Sequence, residues 1–149
     1  MQTLQRTTFI KAPLDKVFAF FSDPRNLARI TPESMGFELV EAPARAVREG
    51  DRIRYRIRVM GIPLQWTTLI TRWEENVVFA DLQERGPYRH WLHTHTFRAV
   101  DGGVEMGDLV EYELPLGLLG RLGGGRLVRR QLRTIFDHRA AAIAAYFRA

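Results

Sequence analysis

Hydrophobic and polar residues alternate along much of the chain, and the clearest example lies at residues 50–60. There, arginines at positions 52, 54, 56 and 58 alternate with Ile53, Tyr55, Ile57 and Val59. This pattern is typical of an antiparallel strand with one face buried and the other in solvent. Weaker alternation between turn residues predicts further strands. The predicted strands cover 2–11, 36–42, 50–60, 64–74, 77–84, 88–99 and 104–114.

Three other segments have the pattern of helices. Residues 12–23 and 24–30 predict two short helices, separated at Asp23 and Pro24 because proline interrupts a helix. From about 126 to 148 the hydrophobic residues follow a 3.6-residue period and gather on one face, which also includes Arg139. The apolar members of that face are Val128, Leu132, Ile135, Phe136, Ile143 and Tyr146. This order of elements predicts an α+β domain with a curved antiparallel sheet.

The composition is that of one ordinary domain spanning residues 1–149, with 46% hydrophobic and 26% charged residues. A chain of this length buries a sizeable core. No run approaches the roughly 18 consecutive apolar residues of a membrane span, and residues 1–13 lack the apolar block of a secretory signal. The absence of cysteine excludes disulfides, thiolate chemistry and cysteine-ligated metals. We therefore expect a cytoplasmic protein.

The net charge is +5, and every basic residue except Lys11 and Lys16 is an arginine. The arginines of 52–58 fit the solvated face of a strand, offset by nearby glutamates. A second group, within 121–133, suits an ordinary solvated helix face, peripheral contact with an anionic membrane, or contact with a partner's acidic surface. We find no nucleic-acid-binding motif and expect no nucleic-acid partner. The glycine-rich stretch 116–125 lacks the lysine and hydroxyl residue of a phosphate-binding loop.

Five stretches of the sequence resemble the START-like helix-grip superfamily, and more narrowly its bacterial polyketide cyclase/dehydratase and ligand-binding branch. In chain order they are FIKAPLDKVFAFFSDPRNLARITP, GIPLQW, FADLQERGPYRHWLHTHTF, LVEYELPLG and LRTIFDHRAAAI. The resemblance implies about seven antiparallel strands wrapped around the long C-terminal helix, with a deep apolar cavity between sheet and helix. It also implies that 116–125 forms a lid at the cavity mouth. Members enclose a hydrophobic small molecule and only some are enzymes, so the fold does not decide the function.

The octet HWLHTHTF at residues 90–97 holds three of the chain's four histidines. Side chains of a strand alternate between its faces, so His93 and His95 share one face with Trp91 and Phe97, and His90 lies on the other. Two imidazoles on an aromatic face admit three interpretations, namely a metal site, an acid–base pair or polar anchors in a ligand pocket.

A metal site at His93 and His95 needs a third ligand, for which Asp81 on the preceding strand is the obvious candidate. The glutamate of a cupin-type pattern is missing after His95, and we expect no metal and no cofactor. In the catalytic interpretation, Asp81 orients His93 or His95 for proton transfer on an enolisable ketone. In the third interpretation, the same residues are polar anchors for a ligand in an apolar cavity.

Arg139 has two expected roles, an ion pair with Asp81 or Asp108, or contact with the polar end of a ligand. The leading prediction is binding or transport of a hydrophobic small molecule such as a lipid, quinone or polyketide-like compound. The alternative is a cyclase/dehydratase that uses the His/Asp pair in the same cavity. Residues expected to contact the ligand are Trp66, Phe79, Gln83, Trp91, Phe97, Asp108, Tyr112, Phe136 and Arg139.

Overall fold

A seven-stranded antiparallel sheet forms the centre of the computed structural model, which describes residues 1–59, 61–115 and 124–148. The strand order is β1-β7-β6-β5-β4-β3-β2, so the first strand pairs with the last. The strands are β1 (Gln2–Ile10), β2 (Glu38–Glu41), β3 (Arg52–Val59), β4 (Ile62–Glu74), β5 (Val78–Arg85), β6 (His90–Val100) and β7 (Gly103–Glu113). The predicted order of elements along the chain and the α+β class are confirmed.

Two short helices follow β1, and one long helix ends the described chain. The helices are α1 (Leu14–Ser22), α2 (Leu27–Ile30) and α3 (Gly124–Tyr146), with 3-10 turns at Pro24–Asn26 and Glu33–Met35. Helix α1 ends before Asp23, whose carboxylate accepts a hydrogen bond from the Arg25 backbone N–H. The predicted break between the two short helices is therefore confirmed.

The core has two main parts on the inner face of the sheet. Around α1, the Phe18 ring packs edge-on against Phe97 with ring centres 5.0 Å apart, and against Phe79 at 6.0 Å. Around the first half of α3, the buried residues Val128, Leu132 and Phe136 pack with aromatic side chains of the sheet. These three residues recur at four-residue intervals, so they form the buried stripe expected of an amphipathic helix.

The outer face of β3 is solvated, as its alternation predicts. Three of its arginines pair with glutamates of β2 and β5, and these pairs are Arg52–Glu84, Arg54–Glu41 and Arg56–Glu38. Residues 116–123, which hold most of the expected lid and the beginning of the basic segment 121–133, lie outside the described residues. The last two residues of the expected lid, Gly124 and Gly125, instead begin helix α3. None of the described helices is both long and apolar enough to cross a bilayer.

Candidate functional site

A cavity of about 150 Å³ lies between the inner face of the sheet and helix α3. The sheet contributes Trp66, Phe79 and Trp91, and α3 contributes Phe136 and Arg139, all of which we expected at a ligand. The segment between α1 and β2 covers another side with Leu27, Ile30, Met35 and Phe37. The wall is mostly apolar, and its ionisable groups include Asp81, Arg139 and the two histidines singled out from the octet, His93 and His95.

His93 and His95 each bind a carboxylate on a different neighbouring strand. The Nε2 atom of His93 lies 2.7 Å from Asp108 Oδ1 on β7, and the Nε2 atom of His95 lies 2.7 Å from Asp81 Oδ2 on β5. In the strand register, however, Asp81 is directly opposite His93, and Asp108 is directly opposite His95. Both hydrogen bonds therefore run diagonally across the ladder, a distance that long side chains can span.

The two histidines are buried, and their rings stack with centres 3.7 Å apart. Burial and the neighbouring charge of His95 lower the pKa of His93, although its bond to Asp108 opposes them. Burial also acts to lower the pKa of His95, but contacts with Asp108 and Asp81 outweigh it and raise that pKa. Two imidazolium rings at this distance repel each other strongly. We conclude that His95 takes up a proton more readily and that His93 stays neutral.

Both carboxylates of the cluster remain ionised. Burial alone would raise the pKa of Asp81, but the hydrogen bond from His95 and its charge outweigh burial and lower it. The same opposition holds the pKa of Asp108 well below its usual value, with His93 and His95 as the stabilising partners. A buried carboxylate normally resists ionisation unless it is paired, and each of these carboxylates is paired with an imidazole.

The hydrogen-bond pattern determines which nitrogen of His93 is free to act. Ionised Asp108 only accepts, so neutral His93 must donate through its Nε2–H. The Nδ1 atom of His93 then carries a lone pair, and this ring lines the cavity. By contrast, Nδ1 of His95 is buried at 3.4 Å from Asp108 Oδ1, an ionic contact too poorly aligned to be a hydrogen bond. His93 is therefore the histidine suited to accept a proton or hydrogen bond from a ligand.

Arg139 faces the cavity without a direct carboxylate partner among the described residues. Its guanidinium carbon lies 5.2 Å from the centre of the Phe136 ring, in a cation–π arrangement. Its charge helps to lower the pKa values of Asp81 and Asp108 from a longer distance. Of the two roles expected for Arg139, the direct ion pair is not formed, and the side chain remains available to a ligand.

Four residues expected at the ligand do not line the cavity. Gln83 instead binds the backbone of Tyr88, donating at 2.7 Å to its oxygen and accepting at 3.1 Å from its N–H. Phe97 belongs to the core around α1, and Asp108 lies behind the histidines that it binds. The Tyr112 hydroxyl hydrogen-bonds the Gln2 side chain at 3.1 Å. Alternation along the strands predicted that these four side chains face inward, but it did not show that they lie outside the cavity wall.

Several cavity residues had not been selected from the sequence. Tyr55 and Tyr88 both line the wall, and burial raises the pKa of each hydroxyl. Tyr55 stood at an inward position of the alternating β3 pattern, which was a usable signal. Met35 and Phe37 belong to an irregular segment without periodicity, so no pattern indicated that they would close the cavity.

The metal interpretation can be tested against the same geometry. Donor atoms of Asp81, His93 and His95 lie within 4.8 Å of one another, and two histidines with a carboxylate are a known ligand set. However, both Nε2 atoms already point at separate carboxylates at 2.7 Å. The arrangement is therefore that of two hydrogen-bonded His–Asp pairs rather than three donors directed at one point.

Comparison with known proteins identifies the family. The family model described as "Polyketide cyclase / dehydrase and lipid transport" matches residues 1–148. The chain belongs to this family. Among curated proteins, none matches this member of the polyketide cyclase/dehydrase and lipid transport family.

Solved structures share the fold of this family member along its whole length. A protein of Chromobacterium violaceum has a TM-score of 0.78 at 15% identity, covering 100% of this chain and 99% of its own. The Zhui aromatase/cyclase of a Streptomyces species has a TM-score of 0.77 at 17% identity, covering 99% and 93%. A START superfamily protein of Mycobacterium smegmatis reaches 0.74 at 14%, covering 98% and 97%. These likenesses confirm the START-like helix-grip fold.

Proposed function

We propose that this protein binds or carries a hydrophobic small molecule in the cavity between the sheet and α3. The observation that supports it is an apolar cavity whose aromatic wall includes Trp66, Trp91 and Phe136 and which also holds a few polar groups. Ligand sites commonly combine an apolar lining with a small number of polar groups that fix orientation. As part of the same proposal, the protein works in the cytoplasm, the compartment expected for its cysteine-free sequence.

The polar groups indicate what the ligand carries at one end. Arg139 offers hydrogen-bond donors and has no carboxylate partner among the described residues. The buried Trp66 Nε1–H has no hydrogen-bond partner among the same residues. His93 adds an acceptor at Nδ1. A ligand with a carbonyl or acidic oxygen beside an apolar body, such as a quinone or polyketide-like compound, meets these groups better than a pure hydrocarbon does.

The test is native mass spectrometry of the purified protein, followed by solvent extraction to identify any bound molecule. Leu27→Trp places a bulky indole ring into the cavity from a partly exposed position, and Val77→Trp adds the same ring at an exposed turn. We expect a stoichiometric small molecule that is lost in Leu27→Trp and retained in Val77→Trp. A chain that emerges empty and shows no tryptophan fluorescence response to phenylacetone or 1,4-naphthoquinone contradicts the proposal.

A second candidate function is proton transfer in the same cavity, as in a cyclase or dehydratase. The observation that favours it is the 2.7 Å contact between His93 and Asp108. A carboxylate that orients a neutral imidazole is the usual arrangement of a general base. In this role Nδ1 of His93 accepts a proton from the carbon next to a ketone, and Arg139 stabilises the enolate oxygen that results.

Exchange of the α-protons of phenylacetone in deuterated water tests this second function, because it requires only enolisation. We expect the protein to accelerate the exchange, and His93→Gln to reduce that acceleration by about 10²- to 10⁴-fold. The matched control is His138→Gln, at an exposed position of α3. If His93→Gln binds phenylacetone but exchanges it as fast as the wild type does, His93 is not the base.

A further inference from the structure

The outer face of the first half of α3 is strongly basic. Arginines at positions 126, 129, 130 and 133 are all exposed. At about 100° per residue, these four side chains fall within an arc of about 100° on the helix. We propose that this face, called here the arginine face, docks the protein on an anionic lipid bilayer. This inference goes beyond ligand binding and does not depend on it.

Among the residues that the structure describes, no carboxylate neutralises the charge of the arginine face. No carboxylate lies within 4.0 Å of any of the four guanidinium groups among the described residues, and Arg129 instead donates to Gln2 at 3.2 Å. The sequence contains no Asp or Glu between Glu113 and Asp137, and Asp137 is paired with Arg6. By contrast, several arginines of the outer sheet face have glutamate partners, as at Arg54 and Arg98. The unneutralised charge is therefore complementary to an anionic surface.

An exposed leucine beside the arginines favours a bilayer over other polyanions. Leu127 is 50% exposed, although it is an apolar residue on an otherwise charged surface. A helix that rests at a membrane interface combines cations for the headgroups with apolar side chains for the acyl region. Nucleic acids offer phosphates but no comparable apolar layer for Leu127.

The docked orientation also brings the cavity close to lipid. The inner face of the same helix contributes Leu132 and Phe136 to the cavity wall. A helix with side chains is only about 10–12 Å across. These two side chains lie about 90° around the helix from the centre of the arginine face. Docking through that face therefore holds the ligand cavity within about one helix diameter of the bilayer, where hydrophobic molecules accumulate.

Co-sedimentation with vesicles of phosphatidylcholine alone, or with 30 mol% phosphatidylglycerol, tests the proposal at low and physiological salt. We expect binding only to the anionic vesicles, weakened by salt. The variant R126Q/R130Q/R133Q should bind about 100-fold more weakly, because each basic residue near such a surface contributes roughly a factor of five. The matched control is R54Q/R56Q/R98Q, which removes the same charge from paired positions on the sheet and should stay within about threefold of the wild type.

Leu127→Ala tests the apolar part of the contact, and circular dichroism confirms that each variant is folded. We expect it to weaken vesicle binding about fivefold, since half of a leucine side chain is no longer buried in lipid. Equal loss in the sheet control overturns the proposal, because net charge alone then explains binding. Unchanged binding of Leu127→Ala, or equal affinity for double-stranded DNA, identifies a general polyanion surface and also overturns it.

Discussion

Replacing Asp108 by asparagine should destabilise the protein through the histidine pair. Asp108 is 6% exposed and its Oδ1 contacts His93 at 2.7 Å and His95 at 3.4 Å. The asparagine side-chain oxygen still accepts a hydrogen bond from His93. The substitution removes the negative charge opposite His95, but His95 keeps Asp81 as its partner. Losing one member of a buried pair costs about 3–5 kcal/mol without such compensation, so we expect about 2–3 kcal/mol here. This corresponds to a fall in Tm of roughly 6–10 °C for a chain of this size.

The assay is urea unfolding at pH 7, with Glu105→Gln as the control on the same strand. Glu105 pairs with Arg98 in solvent, and an exposed pair contributes at most about 1 kcal/mol. The pKa of Asp108 is lowered, so its stabilisation is complete above about pH 4 and is lost as pH falls through its folded-state pKa. The difference between wild type and Asp108→Asn should therefore narrow in acid. A cost no larger than that of Glu105→Gln refutes the reasoning.

Three further outcomes are expected. In an NMR titration His95 should hold its proton to higher pH than His93, since their pKa values are shifted in opposite directions; the stability due to His95 is complete below about pH 6.5 and lost above its raised pKa. Gln83→Ala should cost about 1–2 kcal/mol in urea unfolding and speed amide hydrogen exchange at Tyr88, because it removes both bonds to that backbone. Gly103→Ala should lower the Tm sharply, because its Cβ would clash with the backbone oxygen of Ile10 on β1.

The sequence was sufficient for the order of elements and for the inward face of β6. Alternation reports burial directly, because a residue facing the core is apolar or paired, and Trp91, His93 and Phe97 are all buried as predicted. The long helix was equally clear, because its apolar stripe and Arg139 follow one period. These features depend on local spacing, which is present in the chain itself.

The sequence did not show which carboxylate each histidine binds. Those hydrogen bonds run diagonally between neighbouring strands, and residue spacing within one strand carries no information about that offset. Asp108 was nevertheless detectable, since it stands at an inward position of β7 between Met106 and Val110, where a carboxylate needs a buried partner. Phe97 shares a face with His93 but reaches the core around α1, because a strand extends beyond the length of the cavity. No periodicity distinguishes those two neighbourhoods.

The pairing of β1 with β7 has a consequence for how the chain acquires its structure. Gln2 lies beside Tyr112 and Ile10 beside Val104, so β1 pairs with a strand that is synthesised about a hundred residues later. Such distant pairing raises the entropy of loop closure and slows folding. On the ribosome, β1 emerges long before its partner, and an unpaired strand is a site for aggregation. The sheet is therefore completed only after β7 has been synthesised, and a chain that ends before Gly103 leaves β1 without a strand to pair with.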